Sequence, residues 1–360
     1  MTSSAIPVLV VGTGFGCRVQ VPALRASGFD VVGLVGSSAA RTRERADANA
    51  VSGAFTDLAE AITRTGAVAV AIATPPHTHS APVLEAIARG CHILCEKPFT
   101  RDAAAARVLL RAAEQAGVTN LLGNEFRWVP QRAMGARLLA EGIIGEPRFV
   151  SFTQFLPTLT GSIGLPDWWY HADEGGGWLG ASGSHQIDWV RTWLGDFESV
   201  SAALPAVSQH DGGAEDTYAF RFRLASGVEG IMQQCASAWG APVDFVRVVG
   251  TRGTLCVDGT NLWIADREGT REIEIAPDFA LPAPPQPADP DRKQWANAIA
   301  SFEVPLYIRL CEAWQAVIEG RDPPDTVPIP TFADGVASME MLDAVRLSAA
   351  KGGELVRVAG

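Results

Sequence analysis

Gly12-Thr13-Gly14-Phe15-Gly16-Cys17 stands directly after the apolar run Ile6–Val11 and before residues at helical spacing, Val19, Leu24 and Ala26. Glycines at such a joint do a specific job. Gly12 permits the tight turn, and Gly14 lets backbone approach a pyrophosphate whose charge suits a helix N-terminus. Cys17 takes the third position of the G-x-G-x-x-G/A pattern and is small enough for close helix–strand packing. A glycine turn alone is a weak signal; strand, turn and helix in this order within a βαβ unit point to a dinucleotide. An NAD site carries an acidic residue about 20 residues on, at the end of the second strand. Here that place reads Gly36-Ser37-Ser38. Ser37 and Ser38 offer donors and Arg41 a charged, bidentate partner for a 2′-phosphate, so NADP(H) is expected over NAD(H). The plainer alternative is that Arg41, Arg43 and Arg45 form only a solvated helix face.

The elements around this turn alternate. Strand-like runs at Ile6–Val11, Val31–Val35, Val68–Ala73, His92–Cys95 and Thr119–Leu122 are separated by helical stretches at 41–48, 82–89 and 103–116. Such alternation predicts a parallel sheet covered on both faces. After about Asn124 the texture changes. A helix at 131–141 leads to a strand at 148–154, a loop rich in Gly, Pro and Trp up to Gly177, and a helix at 185–194. Strand patterns then follow at 217–224, 228–235, 245–249, 254–257 and 271–275, read as an antiparallel meander. A proline-rich stretch, 277–290, precedes helices at 293–319 (interrupted at Pro305) and 332–351. The fold class is therefore α/β: an N-terminal Rossmann-type, doubly wound parallel sheet over 1–123, then an α+β domain with a large open, mainly antiparallel sheet over 124–360. The last helix is a candidate to pack back on the first domain. An open sheet with an apolar face needs a cover, which a second copy would supply as a homodimer or homotetramer.

Bulk properties exclude several classes. The 360 residues suit about two domains. A net charge of −11 argues against nucleic acid or an anionic membrane as partner. The six cysteines show no C-x-x-C spacing and no zinc cluster, so no metal is expected and a reducing cytoplasm is the simplest location. Met1 to Pro7 is too short and uncharged for a signal peptide, and no apolar run reaches spanning length.

Two further stretches carry a resemblance. Ala73-Thr74-Pro75-Pro76-His77-Thr78-His79, with Gly90-Cys91-His92-Ile93-Leu94-Cys95-Glu96-Lys97-Pro98 downstream, resembles the TPP…H…GkHvlcEKP stretch of the glucose–fructose oxidoreductase / inositol dehydrogenase (Gfo/Idh/MocA) family. Gly175-Gly176-Gly177-Trp178-Leu179, followed by Gly183-Ser184-His185-Gln186-Ile187-Asp188, resembles its GGGxLxDxGxHxxD segment. The resemblance implies an active site between the two domains. It implies that Lys97 sits beside the nicotinamide and meets the substrate oxygen, where an ammonium can stabilise an alkoxide or hydrogen-bond a carbonyl. Glu96 would fix Lys97 and Pro98 hold the turn. Thr74, Pro75 and His79 would lie along the cofactor, with His79, like His77, suited to capping or packing. His185 would be the general acid/base, while Asp188 would support structure. The family's aspartate four residues before the histidine is Ala181 here. Three outcomes stay open: a His185–Lys97 mechanism, a dyad rewired through Ser182, Ser184, Tyr170 or Asp173, or an inactive enzyme.

Trp168 and Trp169 are candidates to stack on a sugar or flatter ring, with core packing the equal alternative. Asn124-Glu125-Phe126-Arg127-Trp128 resembles the family stretch entering the second domain; Arg127 would bind substrate or pair with Glu125. Cys91 and Cys95 suit packing. The expected activity is NADP(H)-dependent interconversion of a secondary alcohol and ketone on a sugar, cyclitol or related ring. The alternatives are a dihydrodiol-type dehydrogenase, or a non-catalytic dinucleotide sensor on the same fold.

Overall fold

The computed structural model describes residues 5–160, 165, 167–208, 210–284, 294–323 and 327–359, with the side chains of 294–299 outside that set. Part of the proline-rich stretch, 285–290, and the expected helix start at 293 therefore lie outside the described residues. The chain forms two compact units, 1–128 with 281–336, and 129–280 with 337–360.

The first unit holds β1 (Ile6–Val11), α1 (Val21–Ala26), β2 (Phe29–Val35), α2 (Ala39–Ala48), β3 (Gly53–Phe55), α3 (Leu58–Thr65), β4 (Ala69–Ile72), α4 (Ser80–Ala88), β5 (His92–Cys95), α5 (Ala103–Ala116) and β6 (Asn120–Leu122). The six strands pair in parallel in the order β3-β2-β1-β4-β5-β6. Order reverses between β1 and β4, which makes the carboxyl ends of those strands a topological switch point, the place where such sheets bind ligands. β4 is buried on both faces, which accounts for its unbroken apolar run. Helix starts follow local chemistry: Asp57 accepts from the Glu60 amide at 2.7 Å and Asp102 from the Ala105 amide at 2.8 Å. β3 and α3 were not expected from the sequence, although Asp57 and Gly66 mark the ends of α3.

The second unit holds α6 (Pro130–Ala140), β7 (Pro147–Phe155), α7 (Ser184–Leu194), β8 (Phe197–Ala203), β9 (Thr217–Leu224), β10 (Glu229–Cys235), β11 (Val243–Gly250), β12 (Thr254–Asp258), β13 (Asn261–Asp266) and β14 (Gly269–Glu272). After α8 (Gln294–Ile318) and α9 (Phe332–Ala350), β15 (Val356–Arg357) completes a nine-stranded sheet, ordered β14-β13-β12-β11-β7-β10-β9-β8-β15. The expected single meander is corrected here. β7 lies between β10 and β11 and runs parallel to β10, so the sheet is mixed. Adjacency in sequence did not fix adjacency in space, because β7 offers two apolar side chains, Val150 and Phe152, to the covered face at the sheet centre. β8 and β13 were also unexpected.

α8 continues through Pro305, where an interruption was expected. Its burial compensates for the lost hydrogen bond: Tyr307 and Trp314 are fully buried, Trp314 stacks on Phe29 at 5.1 Å, and the Ser27 hydroxyl lies 3.2 Å from the Ile308 carbonyl. Among the described residues no helix is long and apolar enough to cross a membrane.

Candidate active site

The turn after β1 is built by contact. Gly12 adopts φ +112°, donates to the Val35 carbonyl at 2.9 Å, and would place a Cβ 2.4 Å from the Ala73 carbonyl oxygen. Only glycine fits there. At Gly14 an added Cβ would meet nothing within 4 Å, so this part of the turn faces open space. Gly16 packs on Val10, and Cys17 is buried, as the third position of the motif requires. A π-helical turn, Gly16–Gln20, precedes α1; sequence spacing did not foretell it, and such turns recur at functional sites. Thr13 and Phe15 complete the loop, with the Phe15 ring edge-on to Tyr307 at 5.6 Å.

After β2, Ser37, Ser38 and Arg41 are all exposed. The Ser38 hydroxyl accepts from the Arg41 amide at 3.5 Å and so caps α2, which leaves the exposed Arg41 guanidinium as the charged group of this loop.

The turns after β4 and β5 are braced together by His79. Its ring is fully buried, with Nδ1 3.0 Å from the Phe99 carbonyl and Nε2 2.7 Å from that of Thr74. Burial holds its pKa below the ordinary value. His79 thereby fixes both Thr74-Pro75 and the turn containing the cis Lys97–Pro98 bond.

Glu96 is buried, accepts from Gln20 Nε2 at 2.9 Å, and accepts a short hydrogen bond from the Tyr307 hydroxyl. Lys97, the next residue, is half-buried. Two further acids crowd this pair. Burial lifts the Glu96 carboxyl to about 7 against the pull of Lys97 and its hydrogen-bond donors. It lifts Glu303 to about 7 against Lys97 and Arg18. It also lifts Glu125 well above the carboxylate range, with help from Glu96. Gln20, Glu303 and Tyr307 were missed in the sequence; the only signal was an acid and a tyrosine four apart in an apolar helix. Arg127 is buried and ion-paired to Asp334 at 3.0 Å, and it donates to the Pro328 carbonyl at 3.1 Å. Its guanidinium ties the end of the first unit's opening segment to the start of α9. Cys91 and Cys95 are buried free thiols, and burial raises the pKa of each.

In the second unit, His185 sits on the first turn of α7, buried, behind a second π-helical turn, Leu179–Gly183, that contains Ala181. The glycine run ahead of it is a close approach: at Gly177, with φ +104°, a Cβ would lie 2.3 Å from Glu215 Oε1, the atom that accepts from the Leu179 amide at 2.9 Å. Of the four stand-ins for the missing aspartate, Ser184 donates to the Gly180 carbonyl at 2.6 Å and Ser182 accepts from Gln234 at 2.9 Å. Tyr170 packs on His210 at 5.3 Å and Asp173 is exposed. Asp188 is buried within α7. Trp168 and Trp169 are half-buried in a tilted series with Trp178, at 5.6 and 5.8 Å.

A second polar feature escaped the sequence. Asp244, Gln154, Gln234 and Tyr218 lie side by side on adjacent strands β11, β7, β10 and β9. Each has a buried oxygen with no hydrogen-bond partner. Burial raises the pKa of both Asp244 and Tyr218, opposed by the Arg132 guanidinium, itself 3.9 Å over Trp189. Among the described residues no cluster of His, Cys, Asp and Glu is placed to hold a metal.

A model described as an oxidoreductase family with NAD-binding Rossmann fold matches residues 6–124, and the GFO/IDH/MocA C-terminal domain matches 135–256. The chain belongs to this oxidoreductase family. Its similarity extends nearly end to end. It is 27% identical to D-apiose dehydrogenase of Paraburkholderia graminis over 95% of this chain and 87% of that protein. It is 29% identical to 1,5-anhydro-D-fructose reductase of Ensifer adhaerens over 92% of each. The structure of levoglucosan dehydrogenase in complex with NADH and L-sorbose has the same fold, with a TM-score of 0.83 at 21% identity over 99% of both chains.

Proposed function

We propose that this protein is an NADP(H)-dependent oxidoreductase that interconverts a secondary alcohol and a ketone on a sugar, cyclitol or related ring. The observation that carries this reading is the set of turns at the carboxyl ends of β1, β4 and β5. Gly14 opens a place for a pyrophosphate, and Gln20 and Tyr307 anchor Glu96, the residue before Lys97. The sugar-named relatives support the substrate class. A nicotinamide dinucleotide supplies the hydride acceptor or donor. Gly12 to Cys17 would hold its pyrophosphate, Arg41 with Ser37 and Ser38 its 2′-phosphate, and Thr74, Pro75, Glu96 and Lys97 its nicotinamide half. His79 acts by bracing those turns.

Lys97 hydrogen-bonds the reacting oxygen and stabilises negative charge on it. His185 exchanges the hydroxyl proton, a task suited to imidazole near neutral pH. Trp168 and Trp169 offer ring faces to the substrate, and Arg127, engaged by Asp334, serves as a brace. The first unit is thus the cofactor unit and the second the substrate and self-association unit. Phe149, Ile231 and Val249, on neighbouring strands of the open sheet, are each about two-fifths exposed (39, 42 and 39%). A second copy would cover them. Six free thiols suit a reducing cytoplasm.

The test is nicotinamide absorbance with NADP and NAD in parallel over sugars, keto-sugars, cyclitols and a dihydrodiol. Lys97→Met should abolish turnover and retain cofactor binding; normal turnover in that variant would overturn the role of Lys97. Ala181 favours a second reading, a non-catalytic dinucleotide sensor. Tight cofactor binding with no turnover across the panel, and a partner protein recovered with the chain, would select it.

A further inference from the structure

We propose that Tyr307 is a positioning residue that joins the glycine-rich turn after β1 to the turn of Lys97, its ring seating Phe15 and its hydroxyl holding Glu96. The inference deepens the function proposed above and rests on its assignment of the cofactor to the first turn and of the reacting oxygen to Lys97. Tyr307 is fully buried on α8. Its hydroxyl donates to Glu96 Oε1, the same oxygen that accepts from Gln20 Nε2 at 2.9 Å. Gln20 is the last residue of the π-helical turn that follows the first glycines. Glu96 is thus held at one atom from two sides, by α8 and by the glycine-rich turn.

A third segment closes the place where these groups meet. Gly123, just past β6, donates to the Cys95 carbonyl at 2.7 Å. A Cβ there would lie 2.7 Å from the Tyr307 hydroxyl oxygen and 3.0 Å from Glu96 Oε2, so the backbone passes only as glycine. The ring has a separate task. It meets Phe15 edge to face, with centroids 5.6 Å apart and planes at 66°, a favourable arrangement for two aromatic rings. Phe15 stands between Gly14, where an added Cβ meets nothing within 4 Å, and Gly16, which packs on Val10. Packing alone would be met by phenylalanine at 307, with no hydroxyl to bury. The hydroxyl is present, and its partner is the residue next to Lys97. One buried side chain therefore touches both the loop assigned to the pyrophosphate and the carboxyl group that leads into Lys97-Pro98.

The two contacts can be removed one at a time. Tyr307→Phe keeps the ring and loses the hydroxyl, whereas Tyr307→Leu loses both. Binding of NADP and of NAD to the full chain would be followed by calorimetry, and amide hydrogen exchange by mass spectrometry on peptides covering 12–20 and 95–101. In Tyr307→Phe, exchange across 95–101 should quicken about five- to tenfold, as for one lost hydrogen bond, while 12–20 stays unchanged and both dissociation constants stay within about twofold. Turnover should fall about tenfold or more in kcat with KM little changed. Tyr307→Leu should in addition weaken cofactor binding about three- to tenfold. A tyrosine that only fills the core would lower the melting temperature of both variants and quicken exchange alike in the two peptides, and that outcome overturns the proposal. So does an unmoved 95–101 peptide in folded Tyr307→Phe protein. If Tyr307→Leu does not fold, Tyr307→Met fills the space without a ring edge and must weaken cofactor binding in the same way; unchanged binding there overturns the role of the ring. Calorimetry and exchange need no substrate. A loosened 95–101 peptide in a chain without turnover keeps this inference and removes the enzymatic reading, whereas an unmoved peptide in an active enzyme does the reverse.

Discussion

Glu96→Gln should remove a pH dependence of stability that the first unit carries. The Glu96 carboxyl is buried and raised from its ordinary 4.5 to about 7. An acid raised on folding is protonated in the native state over a window in which the unfolded chain has already released its proton. Stability from this group is therefore full below about pH 4.5 and is lost as pH rises through about 7. The displacement corresponds to about 3 kcal/mol at about 1.4 kcal/mol per pH unit. Glu303 works in the same direction, and because the two acids repel, they share the effect. His79 works against them. Its lowered pKa means that the unfolded chain binds more protons below about 6.5, so its contribution grows as pH rises through that range. Comparing variant with parent cancels the histidine. The glutamine retains an acceptor for Tyr307 and Gln20 and cannot ionise. Relative to the parent, it should gain about 2–3 kcal/mol between pH 5 and pH 8. The assay is urea unfolding at several pH values, read by pulse proteolysis through peptides from 6–122, so that each unit is followed separately. A difference that stays constant with pH would refute the argument, as would a parent that gains on the variant towards pH 8.

Three further outcomes follow from the geometry. Gly14→Ala meets no atom within 4 Å, so it should leave stability within about 0.5 kcal/mol and weaken cofactor binding by about tenfold or more; calorimetric titration checks both. Arg41→Ala should cost NADP affinity about tenfold with NAD affinity unchanged, and an equal change for both cofactors would sink the 2′-phosphate assignment. Ile231→Asp places a charge among Phe149, Ile231 and Val249 and should convert an assembled protein to monomer by light scattering, whereas an unchanged mass would exclude this sheet face as the contact.

What the sequence disclosed and what it hid divide by range. The turn at Gly12 was legible because its cause is local: a glycine between an apolar strand and a helix, with Cys17 small enough to pack. α3 was legible too and was missed, since Asp57 and Gly66 bound it by ordinary capping rules. The π-helical turns at Gly16–Gln20 and Leu179–Gly183 were not, because a shifted backbone hydrogen bond leaves no mark in residue types. The position of β7 between β10 and β11 depends on strands about 80 residues apart. The acids around Lys97 lie at the far end of that scale. Tyr307 meets Glu96 across 211 residues, and neither Glu303 nor Tyr307 belongs to a motif. Motif residues such as Glu96-Lys97-Pro98 name the group proposed to touch substrate. What braces the motif comes from far along the chain: α8 brings the Tyr307 hydroxyl to Glu96, and nothing local to Glu96-Lys97-Pro98 announces it.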